Sequence, residues 1–257
     1  MSLLEHIAPV LLTFQEAPNI ERTLHSLRWA TDVVVVDSES TDGTAELARQ
    51  FDNVRVFVRP FDNHRAQWTF GLCETKITVP FVLALDADMS VSDSLRREFA
   101  DLPDEVGFNG AMVPFDYKIW GESLGTTLLG PQLRLLRRSA LRVEQLGHTQ
   151  RFDADGPIVD LSAPLIHDDR KPLEDFVRSQ SRYANIEWGR LRELNGELRL
   201  SERVRRDAGL FGTVAICGYT ALRIGWSKPG RRRYWLERAM FELMLAYRRE
   251  QENLKDS

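Results

Sequence analysis

Residues 33–48 read VVVVDSESTDGTAELA, and this stretch decides the fold. Four consecutive β-branched residues are typical of a strand that is buried on both faces of a parallel sheet. The residues that follow are turn formers, and Ser40, Thr41 and Asp42 offer N-cap oxygens for a short helix. A buried strand that is followed at once by a turn and a helix predicts one step of an open α/β sheet.

Strand-like and helix-like segments alternate on both sides of this stretch. Apolar runs bounded by turn residues predict further strands at residues 7–14, 54–58, 81–85, 107–115 and 132–137. The alternation predicts a Rossmann-like, mostly parallel open sheet with flanking helices and right-handed crossovers. After residue 171 the pattern is mainly helical. We therefore predict an α/β domain at residues 1–171 and a helical C-terminal region at residues 172–257.

The composition is that of an ordinary globular protein, with 43% hydrophobic and 28% charged residues and a net charge of −4. Two cysteines without C-x-x-C spacing favour a reduced, cytoplasmic setting and indicate neither a zinc site nor a disulfide framework. No apolar stretch reaches the roughly 18 residues that a membrane span needs. The apolar N-terminus lacks the charged region of a signal peptide, so we interpret it as the first strand.

Charge is distributed unevenly along the chain. Residues 199–249 carry twelve Lys and Arg against four Asp and Glu, whereas the rest of the chain is acidic. Within this basic part, residues 209–222 contain no charge and have arginines on both sides. Such a helix is suited to lying in a membrane interface, and a buried core helix is the competing interpretation. Because no nucleic-acid-binding motif is present, we favour a lipid partner at the cytoplasmic face of the inner membrane.

Candidate ligand-binding residues follow the predicted strands, where open α/β sheets bind their ligands. The sharpest signal is Asp86-Ala87-Asp88, directly after the run FVLAL. In an extended segment the two carboxylates project to the same side, and oxygen ligands suit Mg²⁺ or Mn²⁺. Asp37 ends the VVVVD run and can accept a hydrogen bond from the N–H of a pyrimidine base. The alternative for each of these residues is a turn or helix cap.

Four segments make the sequence recognisable as a whole: LLTFQEAPNIERTLHSLRWA, VVVVDSESTDGTAELA, VRPFDNHRAQWTFGL and FVLALDADMSVSDSLRREF. In this order they resemble the family 2 glycosyltransferases, and most closely the branch with sugar transferases of lipopolysaccharide core assembly. The likeness covers residues 7–140. It implies a GT-A fold, Mn²⁺ or Mg²⁺, and a nucleotide-diphosphate sugar as donor, with UDP favoured. It also implies a hydroxyl of a glycan or glycolipid as acceptor, and usually inversion at the anomeric carbon.

The resemblance implies roles for individual residues on the nucleotide side of the site. Thr13 and Glu16 would line the nucleotide pocket, Asp37 would hold the base, and Gln67 would lie near the nucleotide. Asp86 would contact the ribose or the metal-bound phosphate.

On the metal side, the resemblance implies that Asp88 is the main metal ligand, with Asp86 beside it. His167, in the segment APLIHDDRKPL, is a candidate ligand of the metal or the diphosphate, with an ordinary structural role as the alternative. Arg134, in PQLRLLRRSALRV, either approaches the phosphates or is an exposed strand residue.

Inverting transfer also needs a base that activates the acceptor hydroxyl. The segment VEQLGHTQRFDADGPI has Gln150 where related enzymes often have an acid. His148 is our first choice because an imidazole accepts a proton near neutral pH. Asp153 and Asp155 are the other candidates, although Asp155 precedes Gly-Pro and has strong turn chemistry.

Departures from the family pattern leave other functions open. Gln15, Trp68 and Gln150 differ from the family's usual residues, which is compatible with a degenerate member that acts as a binding or scaffold subunit. Trp68 is equally suited to the core. A nucleotidyltransferase shares the α/β sheet and the paired carboxylates, but it usually needs an early glycine-rich phosphate loop, and LLTFQEAPN contains no glycine.

Overall fold

A computed structural model describes residues 2–102, 107–125, 130–146, 149–193 and 200–256. The chain divides into two compact units. The first contains Met1–Gly121 and Gly125–Arg170, and the second contains Glu122–Leu124 and Lys171–Ser257.

The elements follow one another closely along the chain. The strands are β1 (Ile7–Thr13), β2 (Val33–Asp37), β3 (Val54–Val58), β4 (Phe81–Asp86), β5 (Met89–Val91), β6 (Gly110–Val113), β7 (Phe115–Ile119), β8 (Glu122–Ser123), β9 (Gln132–Arg137), β10 (Leu141–Leu146), β11 (Thr149–Ala154), β12 (Ile158–Asp160) and β13 (Leu165–His167). The helices are α1 (Ala17–His25), α2 (Thr44–Ala48), α3 (His64–Thr69), α4 (Asp93–Asp101), α5 (Leu173–Glu193), α6 (Leu200–Asp207), α7 (Gly209–Ile224) and α8 (Pro229–Asp256). A 3₁₀ turn spans Leu3–His6, and a π-helical segment, Phe70–Glu74, continues α3.

The main sheet of the first unit has the strand order β12-β6-β9-β4-β1-β2-β3 in the described part of the chain. β1 pairs in parallel with β2 and with β4, and β2 pairs in parallel with β3. β9 is antiparallel to both β4 and β6. The sheet is therefore mostly parallel, as the alternation of strands and helices predicts.

The central strands are buried on both faces. Every residue of the Val33–Val36 run is 0% exposed, which confirms the interpretation of that run. Val33 and Val35 pack with α1 residues such as Leu24 on one face. Val34 and Val36 pack with Trp68 and Leu72 on the other. Trp68 itself is 0% exposed and lies edge-on against Phe152, so it is a core aromatic.

The π-helical segment lies close to the sheet because of a glycine. A Cβ atom on Gly71 would lie 2.9 Å from Cγ1 of Val10 and 3.2 Å from Cγ2 of Val36. The carbonyl oxygen of Gly71 accepts a hydrogen bond from the Thr75 hydroxyl at 2.7 Å. Only glycine leaves room for the helix backbone at this distance from the valines.

The strand predicted at residues 107–115 is two shorter strands, β6 and β7. Pro114 separates them because it has no N–H to donate to a ladder. The carbonyl oxygen of Pro114 accepts from the Leu165 N–H at 2.9 Å. This bond helps to align β13, which pairs in parallel with β7 and antiparallel with β5. β10 and β11 form an antiparallel hairpin that the sequence does not predict.

The second unit is mainly helical. α5 and α8 share a small core around Ala184, Leu191, Phe241 and Leu245. Glu242 on α8 is nearly buried, and its carboxylate binds the guanidinium groups of Arg205 and Arg238, each at 2.7 Å. Within the residues described, none of the helices combines the length and apolar character needed to span a bilayer.

Candidate active site

The candidate site lies at the carboxyl ends of β1, β2 and β4. Thr13 on β1 lies opposite Asp37 on β2, and Leu12 lies opposite Asp86 on β4. From β1 the chain continues to β2 and β3 on one side, and β4 lies on the other side of β1. The strand order therefore reverses here, which is where open α/β sheets bind ligands.

A carboxylate–imidazole pair follows β4. Oδ2 of Asp88 lies 3.4 Å from Nε2 of His167, and the two side chains are 14% and 23% exposed. His167 ends β13 and lies opposite Met89 of β5. The ring of Tyr117 stacks on the imidazole, with the centroids 4.4 Å apart. Strand pairing thus holds the two candidate metal ligands side by side.

Asp86 is oriented by a different partner. Ala87 and Asp88 form a turn between β4 and β5, so the alternation expected of an extended segment does not apply to them. The Thr23 hydroxyl fixes this turn by donating to the carbonyl oxygen of Ala87 at 2.6 Å. Oδ2 of Asp86 lies 3.4 Å from Nη2 of Arg134. Asp86 is therefore paired with Arg134, and Asp88 with His167.

Arg134 is buried, with 5% of its side chain exposed, so the alternative of an exposed strand residue is wrong. Its guanidinium group lies over the rings of Phe115 and Phe152, at 5.5 and 5.9 Å from their centroids. It also donates to Oε1 of Gln132 at 2.8 Å. A buried arginine needs partners of this kind to offset its desolvation. Arg134, held in this way, orients the Asp86 carboxylate.

The side chains offer part of a metal coordination shell. Among the described residues, no three His, Cys, Asp or Glu side chains are grouped to hold a metal ion. Asp88 and His167 together provide one carboxylate and one imidazole. This donor set fits a Mg²⁺ or Mn²⁺ ion that takes its other ligands from water and substrate phosphates, as Mg²⁺ commonly does.

On the other side of β1, Asp37 is 1% exposed and accepts three hydrogen bonds. Oδ1 accepts from the hydroxyls of Thr13 at 2.8 Å and Ser40 at 2.6 Å, and Oδ2 accepts from the Ser40 N–H at 2.8 Å. A carboxylate has about four acceptor positions, so it can take one further donor. In this structure Asp37 and Thr13 together fix the loop after β2.

The loops after β1 and β2 are joined to each other. Gln15 has a φ of 56°, in the left-handed region, and its N–H donates to the Ser40 hydroxyl at 2.9 Å. The Glu16 N–H donates to the Thr44 hydroxyl at 2.8 Å. The N-cap of α2 is Gly43. The prediction of Ser40, Thr41 or Asp42 as the N-cap is therefore wrong, and the Ser40 hydroxyl instead bonds to Asp37 and Gln15.

Asp42 supports the same loop pair. It accepts from the Ala17 N–H at 3.0 Å and from the N–H and hydroxyl of Thr44. Burial alone raises the pKa of this carboxyl, but the hydrogen bonds outweigh burial and hold the pKa below its usual range. Asp42 is thus ionised at neutral pH and fixes the start of α1.

Gln67 lies beside the loop after β2, and the expectation that it is near the nucleotide stays a prediction. Its side chain is 0% exposed. Its amide N–H group donates to the Ser38 hydroxyl at 2.9 Å and to the carbonyl oxygen of Arg59 at 3.2 Å, and its amide oxygen accepts from the Arg59 guanidinium. Gln67 therefore joins the ends of β2 and β3 and is a positioning residue.

Glu16 and the segment after β13 are connected by Asn19, which is 0% exposed. Nδ2 of Asn19 donates to Oε2 of Glu16 at 2.9 Å and to Oδ1 of Asp169 at 2.8 Å. Oδ1 accepts from the Arg170 N–H at 3.0 Å. Sequence reasoning did not select Asn19. One feature of the sequence could have indicated that Asn19 is buried: it lies in α1 next to Ile20, in the apolar face of the helix.

Arg22, one turn further along α1, reaches the same segment. Its guanidinium donates to the backbone carbonyl of Asp168 and, at 3.2 Å, to Oδ1 of Asn19. Burial lowers the pKa of Arg22, while Asp168, Asp88 and Asp169 act in the opposite direction. The positive charge of Arg22 therefore lies near Asp88 and the segment after β13.

This arrangement agrees with the similarity of the chain to known proteins. The family model described as glycosyl transferase family 2 matches residues 10–155, more than half of the chain. The chain belongs to glycosyl transferase family 2. The matched residues run from the middle of β1 to the end of β11 and include every candidate site residue except His167.

Curated relatives of this family 2 chain are similar over part of their length. An uncharacterized glycosyltransferase of Rickettsia conorii is 35% identical over 98 residues, 38% of this chain and 34% of that protein. The lipopolysaccharide core biosynthesis glycosyltransferase LpsC of Rhizobium meliloti is 27% identical over 117 residues, 42% of this chain and 43% of that protein. The chain thus matches about a third of the first relative and less than half of the second.

A solved structure shares the fold. S. aureus TarS 1–349 matches with a TM-score of 0.50 and 15% identity, over 97% of this chain and 91% of that chain. Likeness at this identity concerns the fold alone. Together with the mostly parallel sheet and the helical second unit, it confirms the predicted GT-A architecture.

Of the residues predicted as catalytic base in this family 2 chain, the structure describes Asp155 but not His148. Asp155 lies beside Gly156 in the turn between β11 and β12, and its carboxylate is paired with Arg142. Its N–H donates to the carbonyl oxygen of Ala140, beyond the end of β9 that pairs with the start of β4. Asp155 is thus at the opposite edge of the sheet from Asp86, and the structure contradicts its catalytic assignment. His148 lies outside the described residues, and its role stays a prediction.

Proposed function

We propose that this protein transfers a sugar, with inversion, from a nucleotide-diphosphate donor to a hydroxyl of a glycan or glycolipid. The observation that supports this most directly is the Asp88–His167 pair, at the point of the sheet where the strand order reverses, in a chain of family 2. A UDP-sugar is the favoured donor because of the resemblance of the Asp37 segment to the family, and the N–H of uracil can donate the one further hydrogen bond that Asp37 can accept.

The residues divide the work of donor binding. Asp37, Thr13 and the loop at Ser40 form the nucleotide side, and Asp88 and His167 form the diphosphate side. Asp88 and His167 would hold a Mg²⁺ or Mn²⁺ ion, which as a Lewis acid would stabilise the charge of the leaving diphosphate. Asp86, oriented by Arg134, lies between the two sides and is suited to the ribose or the phosphates.

The acceptor is the least specific part of the proposal. Similarity to a protein named for lipopolysaccharide core biosynthesis supports a glycolipid or lipopolysaccharide core acceptor. We further propose a cytoplasmic location, at the inner face of the membrane where such an acceptor is anchored. Two free cysteines, Cys73 and Cys217, are compatible with a reduced compartment.

The decisive test is calorimetry of UDP and GDP binding, with and without Mn²⁺, on the wild type and on Asp88→Asn. We expect Mn²⁺-dependent UDP binding in the wild type and a loss of at least about tenfold in affinity in the variant, because a metal ligand is removed. Asp93→Asn is the matched control, since Asp93 is 87% exposed on α4 and should leave binding unchanged.

The possible results separate the alternatives. Failure to bind either nucleotide contradicts the proposal and favours a binding or scaffold subunit. Tighter binding of GDP than of UDP contradicts only the choice of uracil as the nucleotide base and leaves the rest of the proposal intact. Binding that Asp88→Asn leaves intact contradicts the metal site.

A further inference from the structure

One face of α7 is apolar, exposed and continuous along the helix. Its large side chains are strongly exposed: Leu210 61%, Phe211 89%, Val214 65% and Leu222 87%. Ala215 and Gly218 fill the positions between them and are also exposed. Spacings of three and four residues place Phe211, Val214, Gly218 and Leu222 in one stripe of a helix. We call this stripe the α7 apolar face.

The opposite side of α7 is buried within the second unit. Gly212, Thr213, Thr220, Ala221 and Ile224 are all less than 9% exposed. The close packing depends on Gly212, where a Cβ atom would lie 2.6 Å from the carbonyl oxygen of Val204. The helix is therefore fixed with its small and polar residues inward. The interpretation of residues 209–222 as a core helix holds for this side only.

The surroundings of the α7 apolar face are basic and aromatic. From residue 208 to residue 236 the chain has no Asp or Glu and five cations, of which Arg233 is paired with Glu237 and Arg231 donates to the carbonyl oxygen of Leu124. Arg223, Lys228 and Arg232 are exposed. Tyr219 and Trp226 lie in the same part of the chain, at 59% and 47% exposure. Tyr and Trp are enriched where a protein meets the headgroup region of a bilayer.

We propose that the α7 apolar face docks in the interface of a bilayer that contains anionic phospholipid. The apolar side chains would enter the boundary between headgroups and acyl chains, and the cations would meet lipid phosphates. An exposed apolar stripe of this length marks an interaction surface, and the cations indicate which one. A symmetric pair of α7 faces would bring like charges together, whereas anionic headgroups complement them.

This inference does not depend on the transfer reaction, and its test does not measure activity. The full chain is mixed with vesicles of phosphatidylcholine alone, or of phosphatidylcholine with phosphatidylglycerol, and flotation in a density gradient is recorded. We expect flotation with the anionic vesicles. It should weaken at about 1 M salt, where the Debye length falls to about 3 Å.

The variant Phe211→Ser/Leu222→Ser should lose vesicle binding by about 100-fold, since two large side chains no longer leave water. The matched control is Leu200→Ser/Leu254→Ser, which removes two leucines that are 79% and 78% exposed elsewhere in the second unit. It should float like the wild type. Thermal unfolding of both variants checks that the second unit remains folded.

Three results would overturn the inference. The first is no flotation of the wild type with anionic vesicles. The second is equal loss of binding in the control variant. The third is a wild-type dimer in light scattering that Phe211→Ser/Leu222→Ser converts to a monomer without any vesicle binding, which would assign the α7 apolar face to a second copy of the chain.

Discussion

Asn19 connects the two sides of the candidate site through a single buried amide. It binds Glu16 in the loop after β1 and Asp169 after β13, a partner 150 residues away in the sequence. His167 precedes Asp169 by two residues. The position of His167 thus depends on an amide that has no hydrogen bond to Asp88 or His167 in the described contacts.

We expect Asn19→Ala to lower the free energy of unfolding by about 2 kcal/mol, because several buried hydrogen bonds lose their partner at once. Urea unfolding of the purified chain measures this. Asn185→Ala is the control, since Asn185 is exposed on α5 and its change should stay within about 0.5 kcal/mol. Equal effects of the two variants would show that the amide has no special part in stability.

At the scale of elements, the π-helical segment is held against the sheet at Gly71. We expect Gly71→Ala to lower the free energy of unfolding by about 1–3 kcal/mol, because the new Cβ meets the rigid side chains of Val10 and Val36. Gly189→Ala on α5 is the matched control, since nothing lies within 4 Å of its added Cβ. There alanine should stabilise the helix by about 0.5–1 kcal/mol. Denaturant midpoints that move in the same direction for both variants would contradict this account.

Glu98 on α4 holds the chain just before β13. Its carboxylate accepts from the N–H and hydroxyl of Ser162, both at 2.9 Å, and from the Ala163 N–H at 2.7 Å. Burial alone raises the pKa of Glu98, but these hydrogen bonds outweigh burial and lower the pKa below its usual value. The stabilisation is therefore present above the pKa of the unfolded chain and is lost as pH falls through the folded pKa.

We expect Glu98→Gln to destabilise the protein by about 1 kcal/mol at neutral pH, a value already reduced for solvent screening. The difference from the wild type should shrink as pH falls below about 4. Urea unfolding at several pH values measures it. Glu46→Gln, on a side chain that is 71% exposed, should show no such trend. A pH-independent difference at Glu98 would mean that shape and not charge matters.

The sequence specifies β1 to β4 well because their signals are local: continuous apolar runs and the turn residues that bound them. The hairpin of β10 and β11 is not predictable in this way. Its residues are partly exposed and polar, and the two strands pair chiefly with each other. The positions of candidate site residues at strand ends are predictable in the same way, as at Asp37 and Asp86, whose roles stay predictions.

Partners of the site residues could not be predicted, because they lie far apart in the sequence. Arg134 pairs with Asp86 across 48 residues and lies over Phe115 and Phe152, and none of these contacts is local in the sequence. The partners of Gln67 could not be predicted for a related reason: its amide bonds to Ser38 and Arg59, which depends on how the ends of β2 and β3 approach each other. The prediction of Asp155 as a catalytic base is wrong because the direction of β11 places Asp155 at the opposite end of the strands from Asp86.

At the scale of the whole molecule, the residues proposed for donor binding all belong to the first unit. Hydrogen exchange should show where ligand binding stabilises the chain. We expect UDP with Mn²⁺ to increase protection in β1, β2, β4 and β13, and to leave α5 to α8 unchanged. UDP without Mn²⁺ is the control. Protection confined to the helices would contradict the placement of the donor site.

The short strand β8 belongs to the second unit although its residues are made long before the helices. Oε2 of Glu122 accepts a hydrogen bond from the Gly230 N–H at 2.9 Å, across a separation of 108 residues. At a translation rate of roughly 5–20 residues per second, the ribosome delivers the second partner about 5–20 s after the first. For that interval the nascent chain contains Glu122 but not yet Gly230 and α8, which supply its hydrogen-bond partner. The first unit can complete its sheet before the helical unit is complete, and a pause in translation before α8 would prolong the time in which the inward side of α7, buried in the finished unit, is open to chaperones.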